Sequence, residues 1–394
     1  MSADKIRVLF VCDRPDFRCY KLAKALKDTG LAEPCLLANA WDVSLHAGAF
    51  YDVKAFGMEF SAAFFLHNTL KRITHGRLAF LSDPILKAWL RKKLHGFGQF
   101  DIIHAVAPPV ALSKLAIESA TSKVIFDQYD LLLQTSGNNH RWPSEIRDEI
   151  FCLRKADALV HKGPIEELDF YRELGHSIRA PDISFPDGCD ETLFQPIPGK
   201  KLRDSDGQWH VVYAGGIHGP GKDYYLLPFF EKLTKQGIHV HVYPAPWSRD
   251  HEELGVYYAE KSGFIHMHDT VPYRELVKEM SGYDFGLYYF EFDDAANPDL
   301  TRKAKTAAGN KIPSYYEAGI PVLIAKKIEY SAGFIAHDRS GILIGPEDVP
   351  HLSVILKGCD YNALVTSVSA ARKQWSGTDR VKKLAAFYRA ILQR

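Results

Sequence analysis

The sequence predicts an α/β protein built from two doubly wound parallel sheets. Apolar runs of strand length alternate with amphipathic helical segments through both halves of the chain, which is typical of parallel strands joined by helices. Such strands are expected at 6–11 and 100–106 in the first half, and at 209–214 and 322–324 in the second. With 394 residues, the chain is long enough for two domains of ordinary size.

The composition is that of a globular protein, with 46% hydrophobic residues, 25% charged residues and a formal net charge of +1. This charge argues neither for nor against a nucleic-acid partner. No apolar run approaches the roughly 20 residues of a membrane span, and the N-terminus enters a strand without a signal-peptide pattern. The six cysteines are scattered without a Cys-x-x-Cys pair, which favours a reducing cytoplasm and predicts no zinc site.

The first half opens with a strand, a polar loop and a helix. The apolar run 6–11 leads into a loop that carries Asp13 and Arg14, and apolar residues at helical spacing follow up to Gly30. The loop lacks Gly-x-Gly-x-x-Gly, so it is not a dinucleotide fingerprint. Asp13 and Arg14 either face a ligand at the end of the strand or belong to a solvated polar loop.

Residues 60–98 combine aromatic and aliphatic side chains with many basic ones and a single acid, Asp83. Ser82, Asp83 and Pro84 predict a break between two helices. A basic amphipathic surface of this kind can dock onto anionic lipid, whereas the alternative is a helix pair packed in the core with a solvated basic face. The basic residues are Lys71, Arg72, Arg77, Lys87, Arg91, Lys92 and Lys93.

Two further strands of the first half end in polar side chains. The run 100–106 contains His104, and the run 123–127 ends at Asp127, three residues before Asp130. Because open α/β sheets place ligands at the carboxyl ends of their strands, these residues are candidates for substrate binding or acid–base catalysis. A carboxylate here could act as general base toward a substrate hydroxyl. For His104 the alternative is a buried, hydrogen-bonded histidine.

The second half opens with the strand 209–214, which runs into the glycine-rich turn GGIHGPGK. Such a turn lets backbone N–H groups approach a phosphate closely, and the alternative is a plain β-turn. Gly215, Gly216 and Lys222 are its candidate phosphate-binding residues. Farther along, His239 and His241 share one face of a strand, but no third metal ligand is apparent, so we predict a polar strand face and no metal site.

The stretch 306–325, TAAGNKIPSYYEAGIPVLIA, predicts a polar loop, a short helix, a tight turn and a buried strand. Pro313 suits the first turn of a helix and Gly319 suits its C-terminal end. A helix N-terminus at a ligand site attracts anions, and Lys311 adds a full positive charge. Asn310 and Lys311 are therefore candidates for binding a phosphate group.

Within this stretch, NKIPSYYEAGIPVLI resembles the donor-site segment of GT-B glycosyltransferases of the family-four type. Other segments resemble the same family, among them FDIIHAV, LRKADALV, PDGCD and VPYREL. One departure is clear, because the two glutamates of the family's motif fall on Thr306 and Ser314. Glu317 lies one helical turn after Ser314, on a nearby face.

The resemblance implies a GT-B fold, in which two Rossmann-like domains face each other across a cleft. We expect an acceptor-binding domain at 1–195, a linker at 196–207, a donor-binding domain at 208–370 and a C-terminal helix within 371–394 that packs back on the first domain. The implied reaction is transfer of a hexosyl or glucuronosyl group from a nucleoside diphosphate sugar, UDP-sugar in preference to GDP-sugar, to a glycan or lipid-linked acceptor. No metal and no other cofactor is implied.

The resemblance also implies roles for individual residues and partners. The donor-side residues are Gly215, Gly216, Lys222, Asn310, Lys311, Ser314 and Glu317, the last two near the ribose or base. Asp13 and Arg14 belong to the acceptor side, and the catalytic candidates are Asp127, Asp130 and His104. Many members of the family act on lipid-linked acceptors at the inner membrane face, which favours a cytoplasmic protein that docks peripherally through residues 60–98. No nucleic-acid partner is expected.

Three alternatives stay open at this point. The replaced glutamates leave retention and inversion both possible, and an inverting enzyme would use Asp127 or Asp130 as its base. A catalytically inactive protein would bind a nucleotide or glycan without turnover. A sugar-nucleotide epimerase would convert the donor without an acceptor, and the basic segment 60–98 favours a transferase over these last two.

Overall fold

The computed structural model of the chain describes residues 5–39, 47–74, 79–129, 132, 143–219, 225–245, 263–290 and 298–394. The chain divides into two compact units: unit 1 comprises Met1–Asp187 and Gly377–Arg394, and unit 2 comprises Gly188–Ser376. Of the residues singled out in the sequence, Arg77, Asp130 and Lys222 lie outside the described ranges. Within these ranges, no helix is long and apolar enough to cross a membrane.

The described part of unit 1 contains a parallel sheet of seven strands in the order β3-β2-β1-β4-β5-β6-β7. In this sheet Val8 lies beside Ile102, and Ile125 lies beside Ala158. The central strands are covered on both faces, which explains their nearly continuous apolar runs. The strands are β1 (Ile6–Val11), β2 (Ala32–Ala38), β3 (Asp52–Ala55), β4 (Ile102–Ala107), β5 (Lys123–Gln128), β6 (Ala158–His161) and β7 (Asp182–Ser184).

Helices cover both faces of this sheet. The helices are α1 (Phe17–Asp28), α2 (Met58–Ile73), α3 (Ala79–Phe97), α4 (Val110–Ser119), α5 (Pro143–Lys155), α6 (Glu166–Glu173) and the C-terminal α15 (Gly377–Leu392). Alternate residues of β1 enter two different cores. Val8 and Phe10 pack in the core formed with α1 and α15, whereas Leu9 and Val11 pack in the core formed with α2, α3 and α4.

The helix break predicted at Ser82, Asp83 and Pro84 is wrong. α2 ends at Ile73 and α3 begins at Ala79, and α3 continues through Pro84. Ser82 and Asp83 instead bind His67 of α2, with 2.7 Å between Ser82 Oγ and His67 Nδ1 and 3.5 Å between Asp83 Oδ1 and His67 Nε2. These contacts between the two helices outweigh the local tendency of the three residues to start a helix.

The described part of unit 2 contains a parallel sheet of six strands in the order β10-β9-β8-β11-β12-β13. The strand order reverses between β8 and β11, which lie side by side. In open α/β sheets, ligands bind beyond the carboxyl ends of the strands at such a switch point. The strands are β8 (His210–Gly215), β9 (His239–Pro244), β10 (Ile265–Met267), β11 (Phe285–Tyr288), β12 (Val322–Ala325) and β13 (Gly341–Ile344). The two parallel sheets confirm the predicted fold class of two doubly wound α/β domains.

One helix of unit 2 lies unusually close to the sheet. A Cβ atom at Gly286 of β11 would lie 2.2 Å from the Tyr315 ring, so only glycine leaves room for that ring. The Tyr315 hydroxyl donates a 2.8 Å hydrogen bond to the Leu287 carbonyl, and Gly319 ends the helix in the left-handed conformation with φ of 74°. The helices are α7 (Arg203–Asp206), α8 (Leu227–Thr234), α9 (Tyr273–Met280), α10 (Pro298–Thr306), α11 (Lys311–Ala318), α12 (Glu329–Asp338), α13 (Leu352–Gly358) and α14 (Tyr361–Gln374).

Candidate functional site

Lys311 is the first residue of α11 and lies at the switch point of the sheet in unit 2. Its ammonium nitrogen is 5.0 Å from the ring centre of Tyr213 in β8 and 5.5 Å from that of Tyr288, the last residue of β11. Because β8 and β11 are neighbours, Lys311 lies at the carboxyl ends of two adjacent strands. A positive charge is therefore held where open α/β sheets bind their ligands.

The end of β8 leaves room for the Lys311 side chain. A Cβ atom at Gly215 would lie 2.8 Å from Lys311 Nζ, 3.0 Å from its Cε and 3.2 Å from the Tyr213 hydroxyl oxygen. The Tyr213 hydroxyl donates a 2.8 Å hydrogen bond to the carbonyl of Gly216. The structure thus brings Gly215, Gly216 and Lys311 together, although they come from separate motifs of the sequence.

Ser331 of α12 orders the loop before α11. Its hydroxyl donates to the Ala307 carbonyl at 2.6 Å and accepts from the Gly309 amide at 3.1 Å. A Cβ atom at Gly309 would lie 2.1 Å from Cε1 of Tyr288, so glycine permits this close approach of the loop to the ring. These contacts hold Asn310 directly before the first turn of α11.

The amino end of α11 favours an anion for two reasons. The first N–H groups of an α-helix have no partner within the helix and carry a positive partial charge. The first turn of α11 contains no acidic residue, and the charge of Lys311 adds to that of the N–H groups. Tyr213 and Tyr288 are only 5% and 8% exposed, and charge interactions are stronger in such a partly desolvated environment. A phosphate or diphosphate group suits this arrangement.

Ser314 and Glu317 of α11 bind Tyr273 of α9. The Tyr273 hydroxyl donates to Glu317 Oε2 at 2.5 Å and lies 2.7 Å from Ser314 Oγ. Glu317 is fully buried, and its Oε1 accepts a 2.7 Å hydrogen bond from the Asp190 amide. The carboxylate of Glu317 therefore joins three segments of unit 2, and both of its oxygens have protein donors.

His104 and Asp127 belong to one buried chain of hydrogen bonds in unit 1. His104 Nε2 lies 2.9 Å from the Asp127 carboxylate, and His104 Nδ1 lies 2.7 Å from the Tyr388 hydroxyl of α15. Since an ionised carboxylate only accepts, Nε2 donates to Asp127 and Nδ1 accepts from Tyr388. All three residues are fully buried, so His104 and Asp127 are not exposed at the strand ends.

Arg18 of α1 is the partner of Asp127 that sequence reasoning missed. Its Nε donates to both carboxylate oxygens of Asp127 at 3.0 Å, and its Nη1 donates to Asp187 at 2.6 Å. Burial alone would raise the pKa of Asp127, but the charge of Arg18 and the hydrogen bond from His104 outweigh it and lower the pKa to about 2. The sequence contained one indication that Arg18 is buried, because Arg18 lies on the apolar face of α1, one helical turn before Leu22.

Among the described candidate site residues of unit 1, Asp13 and Arg14 reach solvent. The side chain of Arg14 is 78% exposed and that of Asp13 is 32% exposed, with 4.0 Å between Arg14 Nε and Asp13 Oδ2. The Asn39 amide donates a 2.9 Å hydrogen bond to the Asp13 carbonyl and so ties the loop to the end of β2. Beyond the ends of β5 and β6, the Lys162 ammonium lies 3.5 Å from the ring centre of Tyr129.

No protein-family model and no curated protein matches this sequence. Solved structures match it over nearly the whole chain. Anabaena Alr3699/HepE in complex with UDP and glucose is 16% identical with a TM-score of 0.67, covering 98% of this chain and 100% of its own. Sucrose-phosphate synthase from Thermosynechococcus elongatus is 14% identical with a TM-score of 0.66, at 99% and 100% coverage. The trehalose-6-phosphate structure from E. coli bound with UDP-2-fluoro glucose is 12% identical with a TM-score of 0.63, at 98% and 99% coverage.

These neighbours are GT-B glycosyltransferases, and the likeness extends through both units of this chain. The chain therefore has the GT-B fold, which confirms the predicted fold. At these identities the likeness is one of fold, and a fold by itself does not determine a function. What this chain does is inferred from its own residues.

Proposed function

We propose that the protein is a glycosyltransferase that moves a sugar from a nucleoside diphosphate sugar to a glycan or lipid-linked acceptor. The observation that carries this proposal is the position of Lys311, whose ammonium lies at the carboxyl ends of β8 and β11 and at the amino end of α11. UDP is the favoured nucleotide, because the Anabaena structure contains UDP and the E. coli structure contains a UDP-sugar.

The chemistry of transfer explains why the charge of Lys311 would be useful. As the bond between the anomeric carbon and the diphosphate oxygen breaks, negative charge grows on the leaving nucleoside diphosphate. The Lys311 ammonium and the positive partial charge at the amino end of α11 would stabilise that charge more strongly in the transition state than in the bound donor. These groups would supply the positive charge that Mg²⁺ or Mn²⁺ supplies elsewhere, so we propose that transfer of the hexosyl or glucuronosyl group needs neither ion.

The acceptor would bind unit 1 near Asp13 and Arg14, which are exposed at the end of β1. Asp127 and His104 would act indirectly, because Asp127 holds Arg18 in the first turn of α1, directly after that loop. A carboxylate that takes a proton from an acceptor hydroxyl must touch it. Asp13 is our candidate for the general base that contacts the acceptor hydroxyl. Asp130, which lies outside the described residues, remains a second candidate from the sequence alone.

A membrane surface is the partner we propose for α2 and α3. Met58, Phe65 and Ile73 are 72%, 73% and 71% exposed, and Arg91, Lys92 and Lys93 are exposed as well. Exposed apolar side chains beside basic ones are typical of docking onto anionic lipid. The buried Lys71 contributes to folding instead, because it forms an ion pair with Asp148 of α5.

Co-sedimentation with vesicles tests this docking. We expect binding to vesicles that contain anionic lipid and weaker binding to neutral ones. Phe65→Ser should lower the bound fraction severalfold, whereas Ile165→Ser, at a 50% exposed position of unit 1 outside α2 and α3, should leave it unchanged. Equal binding of both variants would contradict the assignment of the docking surface.

Nucleotide binding tests the donor site. We expect UDP to raise the melting temperature more than GDP, CMP, ADP or dTDP does. A ligand at 100 times its Kd stabilises the folded protein by about 2.7 kcal/mol, so binding is visible as a rise in melting temperature. Lys311→Met should abolish the shift with UDP. Lys326→Met is the matched control, because Lys326 lies in the same unit but pairs with Glu347 and Asp348 on an exposed surface. No shift with any nucleotide, or equal shifts in both variants, would contradict the proposal.

Turnover distinguishes the transferase from its alternatives. A transferase releases UDP from a UDP-sugar only slowly until a suitable acceptor is added, and EDTA leaves the rate unchanged. An epimerase converts the UDP-sugar without an acceptor, which proton NMR of the donor detects. A protein that binds UDP but neither transfers nor converts the sugar with any of a panel of acceptors would be the inactive binding partner, consistent with Thr306 and Ser314 in place of the two glutamates.

A further inference from the structure

Five histidines of unit 2 form a continuous array on one face of its sheet. Register places His239 of β9 beside His210 of β8, and His266 of β10 beside His241 of β9. His239 and His241 are two residues apart in one strand, so all these side chains point to the same face. We call His210, His239, His241, His266 and His268 the histidine array.

The rings of the array are ordered by stacking and by hydrogen bonds. The rings of His210 and His239 are 4.5 Å apart and nearly parallel, with an interplanar angle of 5°. His210 Nδ1 lies 2.9 Å from His241 Nε2, and His239 Nδ1 lies 2.9 Å from His266 Nε2. Each of these rings therefore has a neighbouring ring as a hydrogen-bond partner, and the Nε2 atoms of His210 and His239 both lie on the opposite side of their rings.

Asp206, at the end of α7, lies where these two Nε2 atoms point. Its Oδ2 is 2.9 Å from His210 Nε2 and 3.9 Å from His239 Nε2, and the three atoms all lie within 4.8 Å of one another. The other oxygen, Oδ1, accepts a 2.9 Å hydrogen bond from the Gln208 amide, which holds the carboxylate in this orientation. The Asp206 side chain is 38% exposed, so the cluster is open to solvent on this side.

We infer that Asp206, His210 and His239 form a binding site for one divalent transition-metal ion, with Zn²⁺ as the preferred ion. Two neutral imidazoles and one carboxylate are a known three-ligand set for Zn²⁺, with a water in the fourth position. Tetrahedral bonds of 2.0–2.1 Å require ligand atoms about 3.3 Å apart. The separations of 2.9 Å and 3.9 Å lie on either side of that value. Because the rings of His210 and His239 are stacked nearly parallel, their Nε2 lone pairs do not converge on one point, so binding of the ion would require one of the two rings to rotate.

In each histidine ligand, Nδ1 would not bind the ion and already has a hydrogen-bond partner of the kind found in metal sites. Histidines that bind metals generally donate their other ring N–H to a fixed acceptor, which sets the tautomer and the ring orientation. Here His241 Nε2 would accept from His210 Nδ1, and His266 Nε2 would accept from His239 Nδ1. The sequence did not reveal this set, because Asp206 and His210 lie about thirty residues before His239 in the chain.

Metal binding would also reverse the direction of the hydrogen bonds that connect His210, His241 and His268. Without the ion, His210 Nε2–H donates to Asp206, and His210 Nδ1 accepts from His241 Nε2–H. With the ion on His210 Nε2, the proton of that ring moves to Nδ1 and donates to His241 Nε2. His241 Nδ1 then donates to His268 Nε2, 2.9 Å away. Each of the three rings keeps one proton, so the step changes tautomers and releases no net proton.

The proposed ion would tie α7 to β8 and β9 at the amino ends of these strands, because His210 and His239 are their first residues. Lys311 and Gly215 lie at the carboxyl ends of the strands, on the opposite edge of the sheet. The ion would therefore stabilise unit 2 and would not contact the donor. The proposal is independent of the proposed function.

Metal content and affinity test the site in the full chain, with any purification tag removed. After incubation with Zn²⁺ and gel filtration, we expect one Zn²⁺ per chain and a higher melting temperature than in EDTA. Asp206→Asn and His239→Gln should each lower the Zn²⁺ affinity at least tenfold in calorimetric titration. His266→Gln, which removes only an outer partner, should lower it about 10- to 100-fold.

Two control variants test whether a histidine or cysteine outside the proposed site binds Zn²⁺. His95→Gln changes an exposed histidine of unit 1 and should leave Zn²⁺ affinity unchanged. Cys359→Ser changes the cysteine that is not fully buried and should also leave the affinity unchanged. Wild-type protein that takes up no Zn²⁺, or an Asp206→Asn variant that binds as tightly as wild type, would show that the array is a hydrogen-bonded cluster and overturn the proposal.

Discussion

Lys311 and Gly215 are in such close contact that a Cβ atom added at residue 215 would lie 2.8 Å from Lys311 Nζ. The contact joins the end of β8 to the first residue of α11. It fixes the lysine ammonium beside the glycine-rich turn, where both motifs are suited to the same phosphate group. A substitution at either residue should therefore alter the conformation of the other.

Gly215→Ala should weaken UDP binding without unfolding the protein. The added methyl group meets the far end of a flexible side chain, so Lys311 can move, at the cost of some backbone strain at a φ of 159°, but its ammonium then leaves the position that suits the diphosphate. We expect the Kd for UDP, measured by calorimetry, to rise about tenfold, which corresponds to about 1.4 kcal/mol. Gly333→Ala is the control, because a Cβ at Gly333 meets nothing within 4 Å. An unchanged Kd in Gly215→Ala would contradict the role of this contact.

Gly286→Ala should destabilise unit 2 itself. The new Cβ would lie 2.2 Å from the ring of Tyr315, which is fully buried between α11 and the sheet. Overpacking of this kind costs about 1–3 kcal/mol, and urea unfolding should show it as a lower midpoint. Combining Gly286→Ala with Tyr315→Leu should recover part of the loss, since the smaller side chain leaves room. A double variant no better than the sum of the single variants would argue against the clash.

The sequence was sufficient for those parts of the fold that local pattern determines. Apolar runs predicted strands such as β1 and β12, and Gly319 predicted the end of α11, because these signals act within a few residues. The helix break at Pro84 was predicted wrongly because contacts of Ser82 and Asp83 with His67 come from another helix. Such contacts between segments are not encoded in any local spacing.

The same distinction applies to the candidate sites. The glycine-rich turn and the start of α11 were each predicted to bind phosphate, the family resemblance placed Gly215 and Lys311 on the same donor side, and the structure brings them together. The ionic partner of Asp127 was not predicted, because Arg18 is 109 residues away and only the tertiary fold makes them neighbours. Asp206 was missed for the same reason, since a metal ligand set assembled from a helix and two strands has no fixed spacing.

Asp127→Asn should remove a pH-dependent part of the stability. The folded-state pKa of Asp127, about 2, lies below its ordinary value of 3.8, so its contribution is present above pH 4 and is lost as the pH falls toward 2. This shift amounts to about 2 kcal/mol. Breaking a buried ion pair at neutral pH costs about 3–5 kcal/mol. We expect the difference in free energy of unfolding between wild type and variant to shrink between pH 5 and pH 2. A difference that does not change with pH would refute the linkage.

Glu317→Gln should distinguish a structural carboxylate from one that binds the donor. Glu317 accepts from the Asp190 amide at 2.7 Å and from the Tyr273 hydroxyl at 2.5 Å, so a glutamine places an N–H group against one of these donors. The Tyr273 hydroxyl can turn to accept from this N–H and donate to Ser314, so what is lost is the charge-assisted part of the hydrogen bonds, about 1 kcal/mol, and the melting temperature should fall accordingly.

Tyr273→Phe is the matched variant, because it removes one of the two donors and leaves the carboxylate in place. If Glu317 acts only through this network, both variants lose stability while the Kd for UDP, measured below their melting temperatures, stays within about twofold of wild type. If Glu317 contacts the ribose or base, Glu317→Gln raises the Kd for UDP and Tyr273→Phe does not. Each oxygen of a carboxylate can accept more than one hydrogen bond, so the second outcome would require the fully buried Glu317 carboxylate to become accessible when the nucleotide binds.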